Sequence, residues 1–252
     1  MNFLGQLIRA RELPVFAALA IVMGLTSVAV PHFFSAKVAV DLFLGVSVIA
    51  LLAIAQTFVI VMRHIDLSVG STVGFAAFLI GDSYSKGFGL VVSMLLAIGL
   101  GVTVGAVNGF LVAYLKLPSL VVTLASLYIV RGIFNEFASG ETIIESEVPP
   151  VVNWLGLNRL FGVPYLFIIG LVVLLIAGFV MKRVKAARDL YAIGSNPAAA
   201  ELAGIPVARR VLFAFMSTGA LTGLAGALLL GRFNSANPNS GLGLELLVVA
   251  AC

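Results

Sequence analysis

Long apolar segments separated by short polar breaks run along almost the whole chain. Predominantly apolar windows fall at about 13–31, 42–62, 67–82, 90–115, 119–138, 164–181 and 211–231, and a further apolar run begins near residue 242. Most windows are close to the roughly 20 residues that a helix needs to cross the hydrocarbon core of a membrane. None has the alternation over about ten residues that marks a membrane β-strand. The pattern therefore predicts an all-α, polytopic transmembrane helical bundle.

A polar stretch, RHIDLSVGS at residues 63–71, separates two of these windows. Asp66 is a typical N-cap residue, so we expect a helix to start at Leu67. The window that follows is about fifteen residues long and would extend only about 22 Å as a helix, which is shorter than the hydrocarbon core. We therefore predict a broken or short helix near residues 63–82, as found beside transporter cavities, with Arg63 able to neutralise Asp66. A tight turn before an ordinary capped helix is the alternative interpretation.

Small residues recur at every fourth position in two windows. Gly101, Gly105 and Gly109 form one series, and Gly219 and Gly223 form the other. Residues with little or no side chain at this spacing let two helix backbones approach closely in a membrane. We expect both series to lie at helix–helix contacts.

Polar side chains within the bundle are the candidates for a substrate path. Asn108 lies on the face of Gly101 and Gly105, where a hydrogen bond between helices is the alternative role. Arg131 could line the path, or its long side chain could reach the membrane interface. The candidate path residues are Asp66, Ser68, Ser71, Asn108, Thr123, Arg131 and Glu245.

Composition agrees with a membrane protein and excludes a soluble one. The chain is 61% hydrophobic and 10% charged, with a mean hydropathy of +1.16, whereas soluble domains carry about 25% charged residues. The net charge of +4 does not indicate nucleic-acid binding, because the cations cluster at the ends of apolar windows. These cations are Arg9, Arg11, Lys182, Arg183, Lys185, Arg188, Arg209 and Arg210.

The charge distribution also predicts an orientation. Basic segments of membrane proteins remain in the cytoplasm, so we expect residues 182–210 and the N-terminus to be cytoplasmic. Residues 140–164 contain Glu141, Glu145 and Glu147 against the single cation Arg159. We expect that segment to be external.

A short capped helix is predicted within GSNPAAAELAGIPVARR, residues 194–210. Asn196 suits the N-cap and Pro197 the first helical position, while Gly204 and Pro206 end the helix. Two turns of helix are marginal in water on their own. We therefore expect the helix to dock into a groove of a partner, and packing against helix ends of the same chain is the alternative.

Four stretches resemble the membrane permeases of ABC-type monosaccharide importers, in the branched-chain amino acid and ribose permease superfamily. They are IDLSVGS at 65–71, NGFLVAYLKLPSLVVTLASLYIVRGI at 108–133, YAIGSNPAAAELAGIP at 191–206 and GLGLELLVVAA at 241–251. The resemblance extends from about Val38 to the end of the chain. It implies a permease of the bacterial inner membrane that works with a second permease copy or paralogue, cytoplasmic ATP-binding subunits and a periplasmic sugar-binding protein.

The resemblance further implies that residues 194–206 form a cytoplasmic coupling helix that contacts the ATPase. In the importer signature E-A-A-x-x-x-G, Ala199, Ala200 and Gly204 match, whereas Ala198 replaces the glutamate and the downstream Ile-x-Leu-Pro is missing. Arg63 and His64 stand where many relatives have two glycines, which argues against plain ribose. Together with SLYIVRGI at 126–133, this departure favours rhamnose or autoinducer-2 as the solute, and a pentose is the remaining possibility. The predicted coupling residues are Asn196, Pro197, Ala199, Ala200, Glu201 and Gly204.

Catalytic motifs are missing from the sequence, which contains no P-loop, HExxH or GxSxG. We therefore expect no enzyme activity and no cofactor, with ATP bound by a partner subunit and membrane lipid around the chain. An ion-coupled secondary transporter of a small polar solute is the alternative, with Asp66 as its intramembrane acid. The apolar run from Gly241 to Cys252 is too short to cross, so it is either re-entrant or cut within a helix. We expect the cut, and with it a single, incomplete permease domain over residues 1–252.

Overall fold

The computed structural model describes residues 13–30 and 33–252, with side chains described from residue 16 onward. Arg9 and Arg11 lie outside the described residues. The chain divides into two compact units, Met1–Leu42 and Phe43–Cys252. The first unit contains helix α1 (Leu13–Ala29) and the first turns of α2 (Ala36–Ile60).

The second unit holds the rest of α2 and the remaining elements, which are almost all helical. These are α3 (Val69–Ser85), α4 (Gly89–Ala113), α5 (Ser119–Ala138), a 3-10 turn (Glu145–Glu147), α6 (Pro150–Leu157), strands β1 (Arg159–Leu160) and β2 (Val163–Pro164), α7 (Tyr165–Arg183), α8 (Lys185–Ser195), α9 (Pro197–Leu202), α10 (Val207–Phe233) and α11 (Leu244–Ala250). The strands form one antiparallel hairpin that pairs Arg159 with Pro164. The predicted all-α bundle is confirmed, with this hairpin as a small addition.

Five helices of the described residues are long and apolar enough to cross a membrane, namely α2, α4, α5, α7 and α10. Helix α2 begins six residues before its predicted window, at Ala36. The Ser35 hydroxyl accepts a hydrogen bond from the Val38 backbone N–H at 3.4 Å, so a local cap lets the helix include Lys37 and Asp41. The windows otherwise correspond to helices within a few residues.

The predicted glycine contacts are confirmed between α4 and α10. A Cβ on Gly101 would overlap the Gly219 carbonyl, and a Cβ on Gly219 would overlap the Gly101 carbonyl. Gly223 lies in the same way against Ala97 and Ile98, and Gly105 against the Phe215 carbonyl. The two backbones touch because the glycines at these contacts have no side chain to hold them apart.

Helix α3 is the buried centre of the second unit, and it contacts α4, α5 and α10. Fourteen of its 17 residues are buried, and Phe75 and Phe78 pack against Phe134 of α5. It starts at Val69 rather than at the predicted Leu67, because the Asp66 side chain holds a turn that delays the helix. The prediction of a short helix in this region is confirmed.

The connections between helices gather at two ends of the bundle. We call one the basic end, which contains residues 61–68, 114–118 and 184–206, and the other the acidic end, which contains residues 86–88 and 139–164. At the acidic end an isolated bridge pairs Ile143 with Ala236. The predicted loop at 140–164 is structured, since it contains the 3-10 turn, α6 and the hairpin.

Candidate functional site

A buried hydrogen-bond network lies where the chain passes from α2 to α3. Asp66 Oδ1 accepts hydrogen bonds from the Ser68 backbone N–H at 2.9 Å and from the Ser68 hydroxyl at 2.6 Å. The Asn108 amide donates to Ser68 Oγ at 3.0 Å and accepts from the Ser126 hydroxyl. The network therefore joins the break to α4 and α5.

Three further contacts fix the same segment. The Gln56 side chain, with its amide turned to suit both groups, accepts from the Asp66 N–H at 2.9 Å and donates to the Asp66 carbonyl at 3.2 Å. The Thr123 hydroxyl donates to the carbonyl of Ile65 at 3.2 Å, and the Ser71 hydroxyl donates to the Ser68 carbonyl at 3.0 Å. Backbone groups of a non-helical segment are thus satisfied inside the bundle, as a low-dielectric environment requires.

The network brings five of the seven candidate path residues together and buries all of them: Asp66, Ser68, Ser71, Asn108 and Thr123. The expected pairing of Arg63 with Asp66 is wrong, because Arg63 is exposed and its Nη2 lies 3.4 Å from the Ser195 carbonyl. Sequence reasoning missed Gln56 and Ser126. Their only signal was a polar residue within a long apolar window.

The other two candidates, Arg131 and Glu245, flank a segment that returns into the bundle after α10. We call residues 235–243 the re-entrant segment. It starts at the acidic end near Ala236 and reaches the first turns of α3, where a Cβ on Gly74 would overlap the Ser240 carbonyl and a Cβ on Gly241 would overlap the Gly70 carbonyl. Non-helical backbone at this depth, most of it in turns, is possible because it is enclosed by protein.

Arg131 holds the re-entrant segment through its guanidinium group. Its Nη1 donates to the carbonyls of Pro238 at 2.7 Å and Ser240 at 2.8 Å, and its Nη2 lies 3.4 Å from the Gly70 carbonyl. The alternative in which Arg131 reaches the membrane interface is therefore wrong. The guanidinium group is instead held inside the bundle by hydrogen bonds to backbone carbonyls.

Glu245, in the first turn of α11, lies against the start of α3. A Cβ on Gly70 would overlap Glu245 Oε2, and the carboxylate interacts electrostatically with Arg131. Among the described residues, Glu245 Oε2 and Arg131 Nε are buried atoms without a hydrogen-bond partner. An acceptor and a donor thus remain unpaired beside the re-entrant segment.

The predicted short helix is present as α9 at the basic end. Asn196 Oδ1 accepts a hydrogen bond from the Ala199 N–H at 3.1 Å, Pro197 is the first helical residue, and Gly204 has a φ of +80°. Its side chains separate into two sets, because Ala200 is 4% exposed in a core cluster whereas Leu202 is 91% exposed. Ala199 and Glu201 are exposed as well.

Helix α8 attaches this helix to the bundle. Asp189 accepts hydrogen bonds from Arg210 of α10, with 2.9 Å to Nε and 2.8 Å to Nη2. A Cβ on Gly194 would overlap the Val61 carbonyl and come within 3.3 Å of Met62 Cα. Neither contact is predictable from the sequence, because each depends on the path of the chain between distant helices.

Metal binding has no support in residues 13–30 and 33–252. No group of three His, Cys, Asp or Glu side chains there could hold a metal ion. The polar groups described above can instead form hydrogen bonds to a solute or to backbone.

Comparison with known proteins places the chain among transport permeases. Residues 38–252 match the family described as the permease component of branched-chain amino acid transport systems. The autoinducer 2 import system permease protein LsrC of Enterobacter sp. (strain 638) is 34% identical over 246 residues, covering 98% of this chain and 71% of that protein.

Two further relatives are named as sugar permeases. The L-arabinose ABC transporter permease protein AraH of Azospirillum brasilense is 33% identical over 94% of this chain and 69% of its own length. The ribose import permease protein RbsC of Escherichia coli (strain K12) is 31% identical over 93% of this chain and 74% of its own length. No solved structure gives a significant match. With five helices among the described residues able to span a membrane and a family match over residues 38–252, the protein belongs to the family of permease components of branched-chain amino acid transport systems.

Proposed function

We propose that this chain is the transmembrane permease subunit of an ATP-driven importer that moves a monosaccharide or a solute of similar size and polarity. The observation that carries the proposal is the family match over residues 38–252, together with relatives named for autoinducer 2, arabinose and ribose import. A separate ATPase energises transport, since this sequence has no P-loop. A periplasmic binding protein delivers the solute, and a second permease copy or paralogue completes the membrane domain.

In this proposal the basic end faces the cytoplasm and the N-terminus lies on the same side of the inner membrane. Lys182, Arg183, Lys185 and Arg188 cluster around α8 at that end, which agrees with the retention of basic segments in the cytoplasm. Glu141, Glu145 and Glu147 then lie outside. The binding protein approaches from the acidic end.

The solute passes the re-entrant segment in this proposal. A sugar hydroxyl can donate to Glu245 Oε2 and accept from Arg131 Nε, which are two of the four buried side-chain atoms without a hydrogen-bond partner among the described residues. Ionisable groups within a membrane domain commonly mark substrate pathways. The five candidate path residues of the buried hydrogen-bond network support this region, because they fix the start of α3.

Helix α9 is the contact for the ATPase, and Leu202 is its principal side chain. An apolar side chain that is 91% exposed on a helix fixed at its N-cap gains by burial in a groove, because complete burial of a leucine contributes about 1.5–3 kcal/mol. Glu201 lies beside it and can meet a basic side chain. Ala200 cannot take part directly, since it packs within this chain.

Replacement of Leu202 tests the ATPase contact. We expect Leu202→Ala to weaken ATPase binding about tenfold, the equivalent of about 1.4 kcal/mol, and Leu202→Glu to abolish co-purification of the two subunits. Uptake of labelled autoinducer 2 or arabinose into proteoliposomes should fall in parallel. Leu202→Met is the matched control and should retain both properties.

Two results would count against these assignments in different ways. Retention of the ATPase by Leu202→Glu, with uptake unchanged, would show that α9 is only part of the bundle. Uptake that resists vanadate and follows an ion gradient would instead support a secondary transporter and overturn the ATP-driven function.

A further inference from the structure

An exposed apolar surface lies at the acidic end, on α6 and the hairpin that follows it. We call it the hairpin patch, and it consists of five exposed apolar side chains: Val151, Trp154, Leu157, Leu160 and Phe161. Trp154 is 50% exposed and Phe161 is 98% exposed. Proteins that face only water rarely display such contiguous apolar surface unless it binds something.

The opposite side of α6 is firmly attached to the bundle. Val152 is buried, and a Cβ on Gly156 would overlap the Gly231 carbonyl of α10. The Trp154 ring lies 4.8 Å from the ring of Tyr165, the first residue of α7. The patch is therefore held in a fixed position rather than exposed on a loose loop.

The turn of the hairpin presents an aromatic ring under backbone strain. Phe161 has a φ of +50° and Gly162 a φ of +86°, the signs that a two-residue type I′ turn requires. Asparagine or aspartate normally occupies the first of these positions, because a bulky residue at positive φ is unfavourable. Strain of this kind, of order 1–3 kcal/mol, tends to occur where the residue has a function.

The surroundings of the patch indicate what covers it. The hairpin ends at Pro164, and α7 begins at the next residue with an exposed apolar face that includes Leu171, Leu175 and Phe179. The patch is thus adjacent along the chain to an exposed apolar face of a helix long and apolar enough to cross a membrane. Arg159, the one cation of residues 139–164, is exposed on the hairpin and suits the phosphate groups of lipid headgroups.

We propose that the hairpin patch is an anchor in the membrane interface. Trp154 and Phe161 lie at the boundary between headgroups and acyl chains of the leaflet at the acidic end, and Arg159 lies at the level of the phosphates. Tryptophan and other amphipathic aromatic rings favour this depth, and short amphipathic segments lie in the interface with their apolar face inward. The anchor fixes the entry of α7 and does not depend on which solute is transported.

The single tryptophan of the chain makes the proposal directly measurable. The permease is reconstituted in phosphatidylcholine vesicles, and the fluorescence of Trp154→Phe protein is subtracted to isolate the signal of Trp154. We expect blue-shifted emission that is quenched most strongly by bromines near the carboxyl end of the acyl chains and only weakly by acrylamide in the water. Bromines at the chain ends should quench less.

A substitution on the hairpin provides a second test in the folded protein. Phe161→Asp should shift Trp154 emission to the red and increase quenching by acrylamide, because a carboxylate on the patch brings water into the interface around it. Phe161→Leu is the matched control and should behave like the original chain. Emission that acrylamide quenches and bromolipids do not would overturn the proposal, and protection by the added binding protein would then assign the patch to that partner.

Discussion

Arg131 is a charged side chain in the middle of α5 that is stabilised by backbone carbonyls. Two of these carbonyls, from Pro238 and Ser240, belong to a segment with no regular secondary structure. A guanidinium group presents several donors in one plane, so it can satisfy both carbonyls at once. The side chain therefore supplies the hydrogen-bond donors that a neighbouring strand would supply in a β-sheet.

We expect Arg131→Ala to lower the free energy of unfolding by about 3 kcal/mol, the scale of one or two charge-assisted hydrogen bonds. Thermal unfolding of the detergent-solubilised protein measures this change. A cysteine at Asn239 should also react faster with maleimide in the variant, because the segment loses its attachment. Asn135→Ala, at an exposed position of the same helix, is the control and should unfold like the original chain. If Arg131→Ala also unfolds like the original chain, Arg131 does not stabilise the segment.

Individual residues differed in how far the sequence could predict them. The cap at Asn196 was predictable, because it depends on residues next to it in the chain. The partners of Asn108 and Arg131 were not predictable, because Ser68 and the re-entrant segment meet them only after folding. The same applies to Gln56, whose amide bonds to the backbone of Asp66 across the end of α2.

At the scale of elements, the most extensive helix–helix contact among the described residues is between α4 and α10. Lipid supplies no hydrophobic driving force for helix association, so close packing of the helices has to stabilise the contact instead. Gly101 and Gly219 meet backbone to backbone. This contact should tolerate no added side chain.

A matched pair of glycines on α4 tests this contact. Gly101→Ala should destabilise the protein by about 1–3 kcal/mol, the typical cost of overpacking, because the new Cβ would overlap the Gly219 carbonyl. Gly99→Ala should be neutral or slightly stabilising, since a Cβ there meets nothing within 4 Å. Unfolding temperatures of the two variants give the comparison, and equal values would show that α4 and α10 can separate at no cost.

The elements themselves were largely predictable, because each long helix corresponds to one apolar window. The small elements between residues 140 and 164 were not. Helix α6 is only eight residues long, and the hairpin uses Phe-Gly where the usual sequence signal is Asn-Gly. The start of α3 was misplaced by two residues, because Asp66 binds the Ser68 N–H within a turn and not at a helix start.

At the scale of the whole molecule, the basic and acidic ends give the fold a direction. A cysteine at Glu145 and a cysteine at Ser195, each in a Cys252→Ser background, should react with an impermeant maleimide from opposite sides of the membrane. We expect Glu145 to react in intact cells and Ser195 only in inverted vesicles, since basic segments remain in the cytoplasm. Labelling of both positions from one side would overturn the orientation.

The close contact of Gly194 with the backbone of Val61 and Met62 has a mechanical consequence. A displacement of α8 would press on these two residues and would reach α3 through the residues up to Ser68, which hydrogen bonds hold to Asp66 and to Asn108. This connection is short and held by hydrogen bonds, so α3 would move as a rigid body. Gly70 and Gly74 contact the re-entrant segment directly through the backbone, so a shift of α3 would also move that segment. A movement that begins at α8 would then reach the re-entrant segment inside the bundle.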